Sequence, residues 1–518
     1  MGAIHGTQRF TKTWLATGLL TAAMLIMPAI GAEGADAAAR MPATSCDALA
    51  HVVLPETRVT SAAFVNPQES VPGYCKVLAT VAPETDIELR LPSVWQERLL
   101  HIGGSGLDGT IPNLAAYTAQ LQQGYAVTAS NGGHRDPSGG PTRFLNQPTL
   151  IQDYAHAAIG KTIVFAKAIV RAYYGDPPTY SYFAGCSNGG RGALNAAAKY
   201  GDEYDGVIVG AQTINTVGIT SGWVRAGLLT PPSAAKMALM YRAELAQCDA
   251  GDGLADGIVS NPRACRFDPA TLRCASGVDD DSCLTDAEIN AVNTIRSDVT
   301  LANGKLVYSR LGLGNPAKGF GVFMPLGPPG SPTVASFGAA YLRYIVYSDP
   351  SYDPATFDVD RDLRTVVHVF EGVYDFSADI GALAKYLKSG KKIIVWNGTD
   401  DTVVSHLDAI RTYERMADRA GADEENARLY TPPGVQHCGG GPGADRFDML
   451  GAMRDWVENG RAPRTLLAAK VSPTGSVLFT RPLCEYPRYP RYRGYGDPND
   501  ASSFQCVRLK PEDRRRER

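Results

Sequence analysis

Short apolar runs alternate with longer amphipathic stretches between residues 98 and 211. The runs typical of strands are Arg98–Ile102, 125–129, 181–184 and 207–210. Stretches with helical spacing lie at 155–174 and 193–199. This alternation predicts an α/β fold, with a mostly parallel sheet that carries helices on both faces.

Between 213 and 372 the pattern breaks, and a sequence rich in Pro, Gly, Asp and Cys predicts loops with few clean strands. The alternation resumes at the run Lys392–Trp396. We therefore predict a core in two parts, 38–212 and 373–518, separated by an inserted lid domain at 213–372. Ligands bind at the carboxyl ends of the strands in open α/β sheets. The lid would then govern specificity, and the core would perform the chemistry.

The first 37 residues have the pattern of an export signal. Two basic residues precede an apolar run from Trp14 to Ile30, and small residues follow up to Ala37. The run is short for a membrane anchor, and the small residues suit cleavage. We expect a signal peptide at 1–37, a secreted or periplasmic mature protein, and no membrane association after cleavage.

The net charge and the absence of repeats both bear on what the protein binds. The formal net charge is −3, which argues against a nucleic-acid partner. The chain has no internal repeat or low-complexity region. We expect a monomer that acts on a small molecule.

Ten cysteines, all beyond the predicted signal, fit an oxidising destination. Ten cysteines permit many connectivities, but closing four loops between near neighbours leaves one long-range pair. The predicted pairs are Cys46–Cys75, Cys248–Cys265, Cys274–Cys283, Cys484–Cys506 and Cys186–Cys438.

The pentapeptide 185–189, Gly-Cys-Ser-Asn-Gly, lies between a predicted strand and a predicted helix. This G-x-S-x-G pattern in a strand–turn–helix context is the nucleophile elbow of an α/β-hydrolase. In a chain with 54 glycines the pattern alone could arise by chance. The flanking elements, and a later Asp and His in the order of this fold, favour the elbow. Ser187 is therefore the predicted nucleophile.

The predicted general base is His437, which follows the acid candidates and lies in the glycine-flanked loop 434–441. Residue type alone does not exclude His101 or His134. A disulfide between Cys186 and Cys438 would hold Ser187 and His437 side by side, as acyl transfer requires.

The acid that orients the base is expected after a late strand. Asp400 and Asp401 both follow the run Lys392–Trp396. We favour Asp401 and keep Asp400 as the alternative.

A glycine-rich loop, 103–106, follows the early strand Arg98–Ile102. An α/β-hydrolase takes one oxyanion-hole N–H from such a loop and another from the residue after the nucleophile. The predicted donors are the backbone N–H groups of Gly106 and Asn188. The alternative is an ordinary flexible turn.

The segment 249–258, between Cys248 and Cys265, carries three carboxylates on a loop bent by glycines. Hard oxygen ligands of this kind suit Ca²⁺, whereas the alternative is an Asp- and Gly-rich surface turn. No organic cofactor is expected. The predicted ligands are the carboxylates of Asp249, Asp252 and Asp256 and the backbone carbonyls of Leu254 and Ile258.

Together these residues resemble the tannase and feruloyl esterase family, and within it the bacterial branch that includes mono(2-hydroxyethyl) terephthalate hydrolase. The resemblance implies an α/β-hydrolase core with a lid, a structural Ca²⁺, and hydrolysis of esters of gallate, ferulate or related hydroxycinnamates. It covers nearly the whole chain after the signal. It rests on 103–106, 185–187, the Cys248 to Cys265 loop, Asp401, His437-Cys438 and 441–448.

One difference bears on the substrate. In the terephthalate monoester enzyme a lid arginine meets the free carboxylate, whereas this chain has Ala340 at the corresponding position and Arg343 three residues on. Because arginine is the residue suited to pairing a planar carboxylate, its displacement favours a phenolic ester.

The predicted function is that of a serine carboxylic ester hydrolase that cleaves small esters of phenolic, hydroxycinnamic or gallic acids through an acyl-enzyme. The alternatives are hydrolysis of terephthalate-like aromatic monoesters, acyl transfer to an alcohol, and a non-catalytic phenolic-binding protein.

Overall fold

A nine-stranded sheet forms the centre of the computed structural model, which describes residues 39–136, 141–229, 232–312 and 334–515. The predicted signal peptide, 1–37, lies outside these residues. The strands are β1 (Thr57–Val65), β2 (Tyr74–Val81), β3 (Thr85–Pro92), β4 (Arg98–Ile102), β5 (Tyr125–Ser130), β6 (Tyr180–Cys186), β7 (Gly206–Gly210), β8 (Val299–Thr300), β9 (Leu306–Tyr308), β10 (Lys392–Trp396), β11 (Ala427–Tyr430), β12 (Thr465–Val471), β13 (Val477–Cys484), β14 (Arg488–Tyr492) and β15 (Phe504–Arg508).

The central sheet has the strand order β1-β2-β3-β5-β4-β6-β7-β10-β11. Pairings from β5–β4 to β10–β11 are parallel, and those among β1, β2, β3 and β5 are antiparallel. Apolar residues face both sides: Ile393 and Val395 join one core cluster, and Ile394 and Trp396 join the other. Continuous apolar runs of this kind are what a sheet buried on both faces requires. The predicted mostly parallel sheet is confirmed.

Helices α3, α4, α10 and α11 supply apolar side chains to one face of the sheet, and α1 and α12 to the other. No helix in the described ranges is long and apolar enough to cross a bilayer. The α-helices are α1 (Thr118–Gln122), α2 (Pro148–Gln152), α3 (Ala158–Tyr174), α4 (Asn188–Lys199), α5 (Thr216–Gly227), α6 (Ala234–Cys248), α7 (Asp286–Ile295), α8 (Val334–Ala340), α9 (Val359–Val367), α10 (Ile380–Lys388), α11 (His406–Ala420), α12 (Met449–Asn459) and α13 (Pro511–Arg515).

The inserted segment, residues 213–372, separates two strands that are neighbours in the sheet, β7 and β10. Its described part carries the five helices α5 to α9 and the small β8–β9 sheet. The expectation of a loop-rich block is therefore wrong. Helix α5 is buried around nearly its whole circumference, so it lacks the polar face that gives a helical period in sequence. The bounds of a lid domain stay a prediction.

All ten cysteines form disulfides, and the pairs are the five that the sequence predicts. Four of the bridges close loops with a sequence separation of 29 residues or fewer, whereas Cys186–Cys438 joins residues 252 positions apart. Disulfides at this density are typical of proteins that fold in an oxidising environment.

Candidate active site

Ser187 lies on the turn between β6 and α4, with φ 62° and ψ −123°. A non-glycine residue rarely adopts a positive φ, and such strain is found at functional turns. The turn is anchored because the Ser187 N–H donates to the Gly210 carbonyl at 3.0 Å. The local geometry is that of the predicted nucleophile elbow.

The glycine loop 103–106 packs directly on this elbow. A Cβ added to Gly103 would lie 2.7 Å from the Cα of Gly189, and one added to Gly189 would lie 2.6 Å from the Gly104 carbonyl oxygen. No side chain fits at either position. The contact brings together the two segments that carry the predicted oxyanion-hole donors, Gly106 and Asn188.

The loops after β10 and β11 are joined by backbone hydrogen bonds. The N–H groups of Asn397, Thr399 and Asp400 donate to the carbonyls of residues 430, 432 and 435, each at 3.1 Å. Because these parallel strands are neighbours, their carboxyl ends meet at one edge of the sheet. The predicted acid and base therefore lie on adjacent loops.

His437 Nδ1 and Asp401 Oδ2 are 2.9 Å apart. The Asp401 side chain is fully buried. Its Oδ1 accepts from the N–H groups of Val403 at 2.8 Å and Val404 at 2.9 Å, and its Oδ2 also accepts from Asn397 Nδ2 at 3.2 Å. A carboxylate held by three donors besides the imidazole has a fixed orientation, so it can in turn fix that of the imidazole.

Asp400 has different surroundings. Its carboxylate accepts from the Thr399 hydroxyl at 3.2 Å, and burial raises its pKa to about 7. Of the two adjacent aspartates, the contact with His437 belongs to Asp401.

The disulfide Cys186–Cys438 joins the direct chain neighbours of Ser187 and His437, with the two Cα atoms 5.9 Å apart. The competing histidines have other partners. His101 Nδ1 lies 2.7 Å from the Tyr204 hydroxyl, and His134 packs on Phe144 with ring centroids 4.5 Å apart.

The inserted segment contributes two aromatic residues that the sequence did not single out. Trp223 donates its indole N–H to the Val403 carbonyl at 2.8 Å, next to the Asp401 loop. Phe337 faces Gly106, with a ring atom 3.9 Å from where a Cβ of that glycine would be. The ring centroids of Trp223 and Phe337 lie 5.9 Å apart. Helical residues of this type carry no distinguishing sequence signal because apolar aromatics are common in cores.

The segment considered for carboxylate recognition contains a buried Ala340. Arg343 is nearby in sequence, but its Nε donates to the Tyr352 carbonyl at 2.9 Å within the inserted segment.

Two acidic side chains of the loop 249–258, those of Asp249 and Asp252, are buried. Burial and the charge of Asp256 raise the pKa of Asp252, and Asp249 Oδ1 is buried without a hydrogen-bond partner. Asp256 is paired with Arg481 at 2.6 Å. Within the described ranges, no group of three or more His, Cys, Asp or Glu side chains has the arrangement of a metal site. The unpartnered oxygen and the repelling carboxylates fit a cation, and the Ca²⁺ site stays a prediction.

The model of one family, described as tannase and feruloyl esterase, matches residues 70–507. The chain belongs to this family. An uncharacterized esterase of Xanthomonas campestris pv. campestris is 32% identical, over 93% of this chain and 94% of its own length. A probable feruloyl esterase B-2 of Aspergillus terreus is 30% identical, over 84% and 86%.

Solved structures of this family have the same fold. Feruloyl esterase B from Aspergillus oryzae has a TM-score of 0.78 and 25% identity, covering 89% of this chain and 100% of that one. Tannin acyl hydrolase from Aspergillus niger has a TM-score of 0.71 and 20% identity, over 90% and 95%. The α/β-hydrolase fold is confirmed, and the protein is a carboxylic ester hydrolase.

Proposed function

We propose that the protein is a secreted serine esterase that hydrolyses small esters of phenolic, hydroxycinnamic or gallic acids. Ser187 is the nucleophile, His437 the general base and Asp401 the acid that orients it. One observation carries this proposal: His437 contacts Asp401 at 2.9 Å, and its chain neighbour is disulfide-bonded to the chain neighbour of Ser187.

The reaction follows from these roles. The Ser187 oxygen attacks the ester carbonyl while His437 accepts the proton of the Ser187 hydroxyl. Asp401 stabilises the resulting imidazolium. The oxyanion accepts hydrogen bonds from the N–H groups of Gly106 and Asn188. His437 then protonates the leaving alcohol. Water, deprotonated by His437, cleaves the acyl-enzyme, releases the acid and restores the Ser187 hydroxyl.

The aromatic acyl group is supported by the pair Trp223 and Phe337. Phe337 lies against the glycine of the proposed oxyanion hole, so a ring attached to the scissile carbonyl would meet an apolar aromatic wall. Aromatic pairs of this kind contribute about 0.5–1.5 kcal/mol beyond the burial of their area. The names of the two feruloyl esterase relatives point to the same acyl class.

A second carboxylate on the substrate is disfavoured. Ala340 offers no charge, and the Arg343 guanidinium is held by a backbone carbonyl. A terephthalate monoester would therefore bring an anionic carboxylate without a bidentate partner at this position.

A substrate panel tests the acyl group. We expect kcat/KM for methyl ferulate or methyl gallate to exceed that for the terephthalate monoester by at least about tenfold, which corresponds to about 1.4 kcal/mol. Hydrolysis products should be the same with and without added alcohol. Preference for the monoester would overturn this substrate assignment, and accumulation of a transesterified product would overturn hydrolysis as the reaction.

The nucleophile is tested separately. Ser187→Ala should abolish turnover of every ester in the panel while the melting temperature and the affinity for free ferulate stay near wild type. A fluorophosphonate probe should label the wild-type peptide that contains Ser187. Near-normal turnover by the variant would remove Ser187 from the mechanism.

Ca²⁺ is proposed as a structural ion, held by the carboxylates of Asp249, Asp252 and Asp256 and the carbonyls of Leu254 and Ile258. A bound cation would neutralise carboxylates that otherwise repel one another and would stabilise the folded chain by its differential binding. Elemental analysis should find calcium, and EDTA should lower the melting temperature. Asp252→Ala should lower it as well and remove the EDTA effect, whereas the exposed Asp418→Ala should do neither. Absence of calcium, together with insensitivity to EDTA, would contradict the assignment.

Secretion is tested by N-terminal sequencing of the exported protein, which should start near residue 38. Gel filtration of the same material should give the mass of a monomer.

A further inference from the structure

Asp108 lies two residues beyond Gly106 and points back at the nucleophile elbow. Its Oδ1 accepts from Asn188 Nδ2 at 2.7 Å. The carboxylate fits against two backbone segments, because a Cβ on Gly104 would lie 2.7 Å from its oxygens and one on Gly132 only 2.1 Å away. Asp108 itself has φ +48°, an uncommon conformation for a residue with a side chain.

Asn188 is also held from its other end. Arg191 Nε donates to Asn188 Oδ1 at 2.8 Å, and Arg191 Nη2 donates to the Tyr154 carbonyl, also at 2.8 Å. The Tyr154 hydroxyl in turn donates to the Gly106 carbonyl at 3.1 Å. Asn188, Arg191 and Tyr154 are all at most 6% exposed.

These contacts form a continuous path of hydrogen bonds from Gly106 through Tyr154, Arg191 and Asn188 to Asp108. The path begins and ends on the glycine-loop side, and it includes both residues whose N–H groups are the proposed oxyanion donors. Buried networks with satisfied partners fix geometry better than isolated bonds.

We propose that Asp108 is a positioning residue that joins the two halves of the oxyanion hole through the Asn188 side chain. The inference rests on the proposed function, since it needs a tetrahedral oxyanion bound by Gly106 and Asn188. Donors aimed at the oxyanion are effective only when they are fixed before reaction, and small misplacements reduce the rate steeply.

Stability alone does not require this arrangement. Burial raises the pKa of Asp108 to about 7, although the hydrogen bond from Asn188 and the charge of Arg191 lower it. A desolvated carboxyl and a positive φ both cost free energy, and such costs cluster at functional sites. An apolar residue in the same space would avoid the cost of burying a carboxyl.

The experiment compares Asp108→Ala, Asp108→Asn, Asn188→Ala and the double variant Asp108→Ala/Asn188→Ala. The Asn188→Ala backbone keeps its N–H, so it tests the side-chain link alone. We expect Asp108→Ala to lower kcat about 10- to 100-fold with little change in KM, since a lost oxyanion donor costs about 10²–10³. Asp108→Asn keeps an acceptor for Asn188 and should recover most of the rate. The double variant should be no slower than the slower single variant, because both act on one link.

A transition-state readout separates positioning from folding. The affinity for an aryl trifluoromethyl ketone, which forms a tetrahedral adduct with Ser187, should fall by the same factor as kcat/KM, while the affinity for free ferulate stays constant. If Asp108→Ala does not fold, Asn188→Ala carries the same test. Wild-type kcat in folded Asn188→Ala, or additive losses in the double variant, would overturn the proposal. Fluorophosphonate labelling of Ser187 in each variant keeps this outcome distinct from failure of the proposed nucleophile.

Discussion

Asp400 and Asp401 are chain neighbours with the same side chain, yet the fold gives them different environments. Asp401 accepts hydrogen bonds from Asn397, from two backbone N–H groups and from His437, whereas Asp400 has one hydroxyl donor and a pKa raised to about 7 by burial. Only Asp401 is placed to stabilise an imidazolium.

We therefore expect Asp401→Asn to lower kcat for methyl ferulate by about 10³- to 10⁴-fold, because the imidazole loses its orienting anion. Asp400→Asn is the matched control and should stay within about threefold of wild type. Steady-state kinetics of both variants give the comparison, once their melting temperatures have been shown to be equal. The reverse ranking would transfer the acid role to Asp400.

The sequence predicted the site residues that carry local signals. The pentapeptide predicts Ser187 as the nucleophile, and the glycine-flanked loop predicts His437 as the base. The choice between Asp400 and Asp401 depends on side-chain direction, and sequence order favoured one without fixing it. Asp108, Trp223 and Phe337 reach the site through contacts distant in the chain, so neither spacing nor residue type distinguished them from ordinary core and turn residues.

At the scale of elements, prediction succeeded where the hydrophobic pattern is strong. The strands β4 and β10 have the bounds expected from their apolar runs. The antiparallel strands β1 to β3 were missed. Strand β1 contains only partly buried and exposed residues, so its apolar signal is weak. Helix α5 of the inserted segment was missed for the opposite reason, since it is buried on nearly every side.

The disulfide Cys186–Cys438 joins the end of β6 to the loop after β11, and it restrains the positions of Ser187 and His437 relative to each other. Cys186→Ala/Cys438→Ala should lower kcat at least about tenfold at temperatures where the variant stays folded, because His437 gains freedom relative to Ser187. It should also lower the free energy of unfolding by about 2–5 kcal/mol, towards the upper end for so long a loop.

The matched control is Cys274→Ala/Cys283→Ala, which opens a loop with a sequence separation of only 9. Its stability loss should be smaller, and its kcat should match wild type. Peptide mapping under non-reducing conditions verifies the pairing in each protein. Equal kcat in both double variants would show that the long bridge does not position the base.

For the whole molecule, buried carboxyls make stability depend on pH. Burial raises the pKa of Asp108 and Asp400 to about 7 and that of Asp408 to about 6, from a usual value near 3.8. Between about pH 4 and 7 the unfolded chain has lost these protons and the folded chain retains them. The folded state therefore binds more protons, so these groups make the free energy of unfolding fall as pH rises through this window.

Asp408→Asn should reduce that fall, because it removes one of the three groups and keeps an acceptor for Asn215 Nδ2. Urea unfolding at pH 5 and pH 8 measures the difference, with exposed Asp418→Asn as the control that leaves it unchanged. If the free energy of unfolding changes between pH 5 and pH 8 by the same amount in Asp408→Asn and in wild type, Asp408 does not titrate in this way.

The insertion between β7 and β10 also determines when the Cys186–Cys438 disulfide can form during synthesis of the chain. The Cys186 thiol is synthesised 252 residues before its partner, and four other cysteines, Cys248, Cys265, Cys274 and Cys283, come between. Each of those closes a short loop with its neighbour, as Cys46–Cys75 and Cys484–Cys506 also do, so we expect Cys186–Cys438 to close last when the full chain refolds. Quenching thiols during oxidative refolding and mapping them by mass should show activity returning with that final bond. A chain released before residue 437 would lack the proposed base, so we expect no esterase activity until most of the chain has been synthesised.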